Sequence, residues 1–124
     1  MLEKINENEL QDINRFTAKE NLYLTTKEIS QLKEKRNDIL KDIGCIEING
    51  ILEELILEFC DSPFIEQSNY YETILKLVDI FYLYQTTYRF KFTDEQIIKY
   101  LRRTFDYYGG SEEILEDKLG DMSE

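Results

Sequence analysis

Residues 47–60, EINGILEELILEFC, place apolar side chains at Ile48, Ile51, Leu52, Leu55, Ile56, Phe59 and Cys60, a repeat of three and four without a break. That spacing gathers them on one side of an α-helix and leaves the glutamates outside the stripe. The expectation is a strongly amphipathic helix over 47–60, slightly weakened by Gly50. Its stripe needs other helices to pack on, and the flanking sequence supplies them.

Downstream, Ile74, Leu75, Leu77, Val78, Ile80, Phe81 and Leu83 make a second helix, over 69–88, apolar nearly all round. Such a helix is either the buried axis of a bundle or a dimer seam, and the axis is the expectation. Ser68 or Asn69 would cap it, with Glu72 as the third residue after Asn69.

Two matched helix starts frame this pair. In LTTKEI, Thr25 and Glu28 form a capping box and Leu24 and Ile29 a hydrophobic staple; in FTDEQI, Thr93, Gln96, Phe92 and Ile97 repeat the four roles. The first opens a helix over 25–43, with Ile29, Leu32, Ile39, Leu40 and Ile43 on its stripe and Gly44 as its stop. The second opens a helix over 94–108, with Ile97, Ile98, Leu101, Phe105 and Tyr108, stopping at Gly109 and Gly110. A weaker pattern, Leu10, Ile13 and Phe16, suggests a helix over 8–20, and Ser111 caps a short one over 111–119. The GDMSE tail is expected to fray. Alternation of the strand type is absent, and YRFKF at 88–92 is too short to pair. The reading is all-α: a compact bundle of five to six helices in a single domain over 1–124.

The chain carries 26 acidic and 15 basic residues, a net charge of −11. Such a field repels nucleic acid and anionic lipid, so neither is an expected partner. No apolar run is long enough to span a bilayer, since Lys76 and Asp79 interrupt ILKLVDIFYLY, and the start is too polar for a secretory signal. A cytoplasmic location is expected. Cys45 and Cys60 bracket one expected helix, roughly 22 Å apart at its rise per residue, so they are read as reduced packing residues rather than a disulfide. Acid is concentrated in Glu47, Glu53, Glu54, Glu58, Asp61 and Glu66, a stretch without Lys or Arg, and again toward the C-terminus.

Histidine is absent, which excludes Ser-His-Asp and Cys-His nucleophile systems, His-containing zinc sites and Glu-x-x-His di-iron patterns. No P-loop or G-x-G-x-x-G occurs, and GGS at 109–111 is a helix stop followed by a cap. Glu54 and Glu58 stand one turn apart, but Glu53 and Asp61 beside them point to a wet acidic surface rather than a dry catalytic pocket. The stretch DSPFIEQSNYYE at 61–72 has the Asp and Glu spacing of a calcium loop. Pro63 and Ile65 stand where oxygen ligands belong, and Glu66 where glycine is required, so it is read as a capped connection, with Ser62 and Pro63 opening a short helical turn. No cofactor, metal or catalytic residue is expected.

Arg36 falls within the apolar stripe between Leu32 and Ile39. It is read as an ion-pair anchor with its stem on the core, with Glu47 or Asp61 as partner; the sharper alternative is an anion-binding anchor in a small-ligand pocket. Arg102 and Arg103 are read as solvated and paired with nearby acids. Tyrosines cluster after Phe59, among them Tyr70 and Tyr71, and suit either a core edge or an interface.

Together LTTKEI, the stripe holding Arg36, GCIEING leading into LEFCDSPFI, YYETILKLVDIFY and FTDEQIIKYLRRTFDYYGGSEEIL resemble an uncharacterised family of small acidic helical proteins from Firmicutes, especially clostridia, a domain of unknown function. The likeness runs from about Leu22 to Leu119, and FCDSPFI is its most specific element. The sequence departs from the family pattern at Cys45, where a basic residue often precedes Ile-Glu, and at Tyr107 and Tyr108, where a cysteine often precedes the glycine. The resemblance implies a helical bacterial domain and no reaction.

The functional expectation is a non-enzymatic protein-protein interaction domain. Its surface would be Glu47, Glu53, Glu54, Glu58 and Asp61 with Tyr70 and Tyr71, its partner another protein, with a homodimer also open.

Overall fold

The computed structural model describes residues 13–44, 50–88 and 91–121. Along them run α1 (Thr26–Ile43), α2 (Ile51–Phe59), α3 (Tyr70–Thr87), α4 (Asp94–Tyr107) and α5 (Glu112–Asp117). Residues 13–17 are helical too, and single 3-10 turns cover Ala18–Glu20 and Leu119–Asp121. Among the described residues there is no strand, so the fold is all-α.

Both capping boxes form. Thr25 Oγ1 accepts from the Glu28 N–H at 3.0 Å while Glu28 Oε1 accepts from the Thr25 N–H at 2.9 Å. Thr93 and Gln96 exchange the same pair of bonds at 3.1 and 2.8 Å. The staple residues Leu24, Ile29, Phe92 and Ile97 are all buried, which fixes the angle at which each chain segment enters its helix. Ser111 caps α5 through the Ile114 N–H, and Gly44 ends α1 at φ +69, in the left-handed region that suits glycine.

Three expectations are corrected. The helix expected over 47–60 begins at Ile51, with Gly50 as its cap, because the Gly50 backbone leaves helical geometry (φ −76, ψ 73); residues 45–49, with Cys45 and Glu47, lie outside the described residues. Asn69 precedes α3 but its side chain does not cap it. The amide is spent on the connection instead, accepting from the Glu66 N–H at 2.9 Å and donating to the Phe64 carbonyl at 3.1 Å. Near the N-terminus Ile13 and Thr17 face the core, while Phe16 is exposed; Leu10 lies outside the described residues, as do residues 89–90 of YRFKF and 122–124 of the tail.

Helix α3 is the axis. It packs against α1, α2, α4 and α5, and Tyr70, Ile74, Leu77, Val78, Phe81 and Tyr84 are buried along it. Its apolar residues are therefore consumed within one chain, apart from Leu83, which is exposed. The buried phenol of Tyr84 donates to the Leu115 carbonyl at 2.5 Å and the partly buried phenol of Tyr88 to the Leu119 carbonyl, so the axis holds the C-terminal segment by its backbone. At the other end, 22–25 runs extended with its peptide groups met by two side-chain amides. Asn14 pairs with both polar groups of Leu24 at 3.0 Å, and Gln67 does the same for Tyr23 at 2.8 and 3.0 Å. Each amide replaces the ladder partner that a strand would have supplied.

The connection from α2 to α3 is short, because 70–72 already belong to α3. Phe64 lies edge-on to Phe105 at a centroid distance of 6.5 Å. It also fills the space above Gly110, where a Cβ would stand 2.5 Å from Phe64 Cβ. Gly110 and Gly109 both have positive φ, but nothing lies within 4 Å of a Cβ at Gly109. In urea titrations Gly109→Ala should therefore lower stability by about 1 kcal/mol from backbone strain alone, and Gly110→Ala by at least about twice that, strain and clash together. Equal losses would show that Phe64 does not press on Gly110.

Candidate functional site

Helices α2 and α4 pack side by side, and an open cleft of about 610 Å³ follows their junction. Its walls are Glu54, Leu57 and Glu58 from α2, Asp61 from the connection, and Glu95, Ile98, Lys99, Arg102, Arg103 and Asp106 from α4. Leu57 is 41% exposed among these charges, so the cleft offers apolar surface as well as acid.

Arg102 forms its base. Its side chain is 17% exposed; Nε donates to Asp106 Oδ2 at 2.7 Å, and Nη1 donates to Asp61 Oδ1 at 2.6 Å and to the Glu58 carbonyl. Asp106 in turn accepts from the Ser62 hydroxyl at 2.7 Å through Oδ1. Burial alone would lower the arginine's pKa, but the bonds and charges of Asp106 and Asp61 outweigh it and the net shift is upward. A cation on a carbonyl of the last turn of α2 also complements that helix's dipole. Arg102 pairs with nearby acids as expected, but it is largely buried rather than solvated, and it is the joint between α2, the connection and α4.

The carboxylates on the walls are otherwise placed. Among the described residues neither Glu54, Glu58 nor Glu95 forms an ion pair. Glu54 stands in the first turn of α2, where the dipole favours an anion. Even so its pKa is raised, first by burial and then by Asp94 and Glu95 across the cleft. Desolvation is therefore the main opponent of the Glu54 charge, and its acidic neighbours add to it.

The expected interaction residues divide. Glu54, Glu58 and Asp61 line the cleft, while Glu53 does not. Tyr70 is a correction: it is 0% exposed in the core, four residues before Ile74 on the same helical face. Burial pushes its phenol up to about 12, and the Thr17 hydroxyl beside it offsets only part of that rise. Tyr71 is half-buried and donates to Gln31 Oε1 at 2.8 Å. Arg36 is 3% exposed, as the stripe implied, and donates from Nε and Nη2 to Asn37 Oδ1 at 3.1 and 3.0 Å. Of the two partners expected for it, Asp61 is engaged by Arg102. Arg36 lines neither this cleft nor the second one on α4. Cys60 is a buried free thiol whose pKa is raised first by burial and next by Asp61. Missed altogether were the α4 contributors Glu95 and Lys99; Arg103 is solvated as expected but, among the described residues, forms no ion pair, and the four-residue spacing of the three was a readable signal of one exposed ridge.

Among the described residues no three His, Cys, Asp or Glu side chains stand close enough to hold a metal ion. No helix there is long and apolar enough to cross a membrane.

Arg102→Met should lower stability by about 2–3 kcal/mol, since Asp106 and the Glu58 carbonyl lose a charged donor. Arg102→Lys should recover little, because one ammonium cannot reach three acceptors in the plane of the fork. Chemical denaturation reads both, and full recovery by lysine would refute the fork geometry. For Glu54 the sign is opposite to a paired acid. Its folded pKa lies above its ordinary value of 4.5, so its ionisation destabilises the fold as pH rises through that raised value. Glu54→Gln should melt higher than the parent at pH 7, with the difference vanishing below about pH 4.5; a lower melting temperature at pH 7 would contradict it.

The chain belongs to the family of unknown function DUF6323, whose model matches residues 9–124. No curated protein and no solved structure is significantly similar to it.

Proposed function

We propose that this family member is a non-enzymatic, cytoplasmic interaction domain whose α2–α4 cleft receives a basic, amphipathic segment of another protein. The observation that carries it is the set Glu54, Glu58 and Glu95, unpaired among the described residues, around the exposed Leu57. Incoming lysine or arginine ammonium and guanidinium groups would meet carboxylates whose mutual repulsion they relieve. An apolar residue beside them would cover Leu57. With a net charge of −11 the whole molecule draws a basic segment inward and speeds encounter. A catalytic reading has less support: histidine is absent, and the carboxylates face an open cleft rather than a dry pocket.

The test is co-purification from the native host with the parent and with Glu54→Lys, Glu58→Lys and Glu95→Lys combined. The expected outcome is a protein with a basic segment that is captured by the parent and lost with the triple variant at about 0.15 M salt, where exposed charges still interact within ~8 Å. Equal recovery by both proteins would overturn the proposal.

A further inference from the structure

A second cleft, about 360 Å³, lies along the C-terminal half of α4, lined by Tyr100, Arg103, Thr104, Tyr107, Tyr108 and Lys118. Its character is the reverse of the first. Two cations and three phenol rings stand together on a strongly acidic chain; Tyr107 is 80% exposed and Tyr108 39%, while Tyr100 packs partly on the core. The Tyr107 ring meets Tyr108 edge-on at 4.8 Å, and Lys118 Nζ lies 5.5 Å from the Tyr108 centroid. Among the described residues Arg103 forms no ion pair.

Arg103 lines both clefts, so they adjoin. The exposed ridge of α4 that joins them is Glu95, Lys99, Arg103 and Tyr107, each about one turn beyond the last on a row that winds slowly around the helix. Twelve residues at ~1.5 Å each make it about 18 Å long. Along it the charge changes sign after Glu95, passes through Lys99 and Arg103, and ends at the exposed ring of Tyr107.

We infer that the two clefts are one docking face and that the segment it takes is bipolar: basic side chains at Glu54, Glu58 and Glu95, then an aromatic and an acidic side chain at Tyr107, Arg103 and Lys118. The inference rests on the proposed function and adds the second half of the partner. A uniformly basic segment long enough to follow the ridge would bring like charge against Arg103 and Lys118, and a uniformly acidic one would be repelled by the first cleft. Only a segment with its charges in blocks satisfies both ends. It spans about 18 Å, roughly twelve residues if helical or five to six if extended.

Three labelled peptides of about sixteen residues, enough at ~1.5 Å per residue to cover the ridge, test this by fluorescence anisotropy. One carries a Lys-Leu block followed by a Glu-Phe block, one interleaves the same residues, and one is Lys-Leu throughout. The block peptide is expected to bind at least about tenfold tighter than the interleaved one. Arg103→Glu with Lys118→Glu should erase that advantage without weakening the Lys-Leu peptide, circular dichroism confirming the fold; Arg103→Glu alone serves should the double variant not fold. Equal binding of block and interleaved peptides, or an advantage that survives the reversal, overturns the inference. So does a parent dimer in light scattering that Arg103→Glu dissolves, since the occupant is then a second copy. Failure of the Lys-Leu peptide to bind the parent strikes the first cleft and the proposed function instead.

Discussion

The guanidinium of Arg102 is the interaction on which the arrangement of α2 and α4 depends. It reaches a backbone carbonyl at the end of α2, a carboxylate in the connection and a carboxylate one turn along its own helix. A planar fork can hold three acceptors at fixed angles, so the two helices are set in position as well as in contact. The apolar contacts below, with Phe59 edge-on to Phe105 at 5.4 Å, give cohesion without that angular control. A partly buried arginine is stable there only because its donors are met, which makes the acceptors as necessary as the cation.

The same network explains FCDSPFI in physical terms. Phe59 and Phe64 stack against Phe105, Asp61 takes Arg102, Ser62 takes Asp106, and Ile65 is buried. Four of its seven residues, Phe59, Asp61, Ser62 and Phe64, thus dock on the second half of α4 and the glycine turn that follows it. Gly110 belongs to this contact because Phe64 occupies the volume of the Cβ it lacks. The distinctive segment is therefore the joint of the bundle, and the acidic cleft lies directly over it.

What was legible in the sequence was local. Thr25, Thr93 and Ser111 announce helix starts because their partners lie three residues away, and the apolar stripes announce faces because helical neighbours are fixed by spacing. Asn69 misled because its amide had two uses, and the folded connection offered a carbonyl and an N–H that the sequence alone does not display. Tyr70 was readable and misassigned: its spacing to Ile74, Leu77 and Val78 puts it on the buried face, whereas Tyr71 next to it is only half-buried. Half of the cleft was visible as the acid run of α2. The other half required knowing that α4, more than thirty residues away, lies against it, and no local pattern carries that pairing.

Arg102 and Arg103 show how closely framework and surface are interleaved. One residue on a helix turns the side chain by about 100°, and here that step separates a guanidinium held by three acceptors from one that faces both clefts. The fold meets the demands of the first within itself. It leaves the charge of the second, and that of Glu54, Glu58 and Glu95, unmatched among the described residues. Lys99 lies in the same cleft, yet the carboxyl of Glu54 still holds its proton more tightly than an ordinary glutamate, first because it is partly buried and then because Asp94 and Glu95 stand near it. Asp94 and Glu95 each add less to that rise in pKa than burial does, so it is the unpaired geometry of these carboxylates, and not the shift, that marks the face as open to a cation.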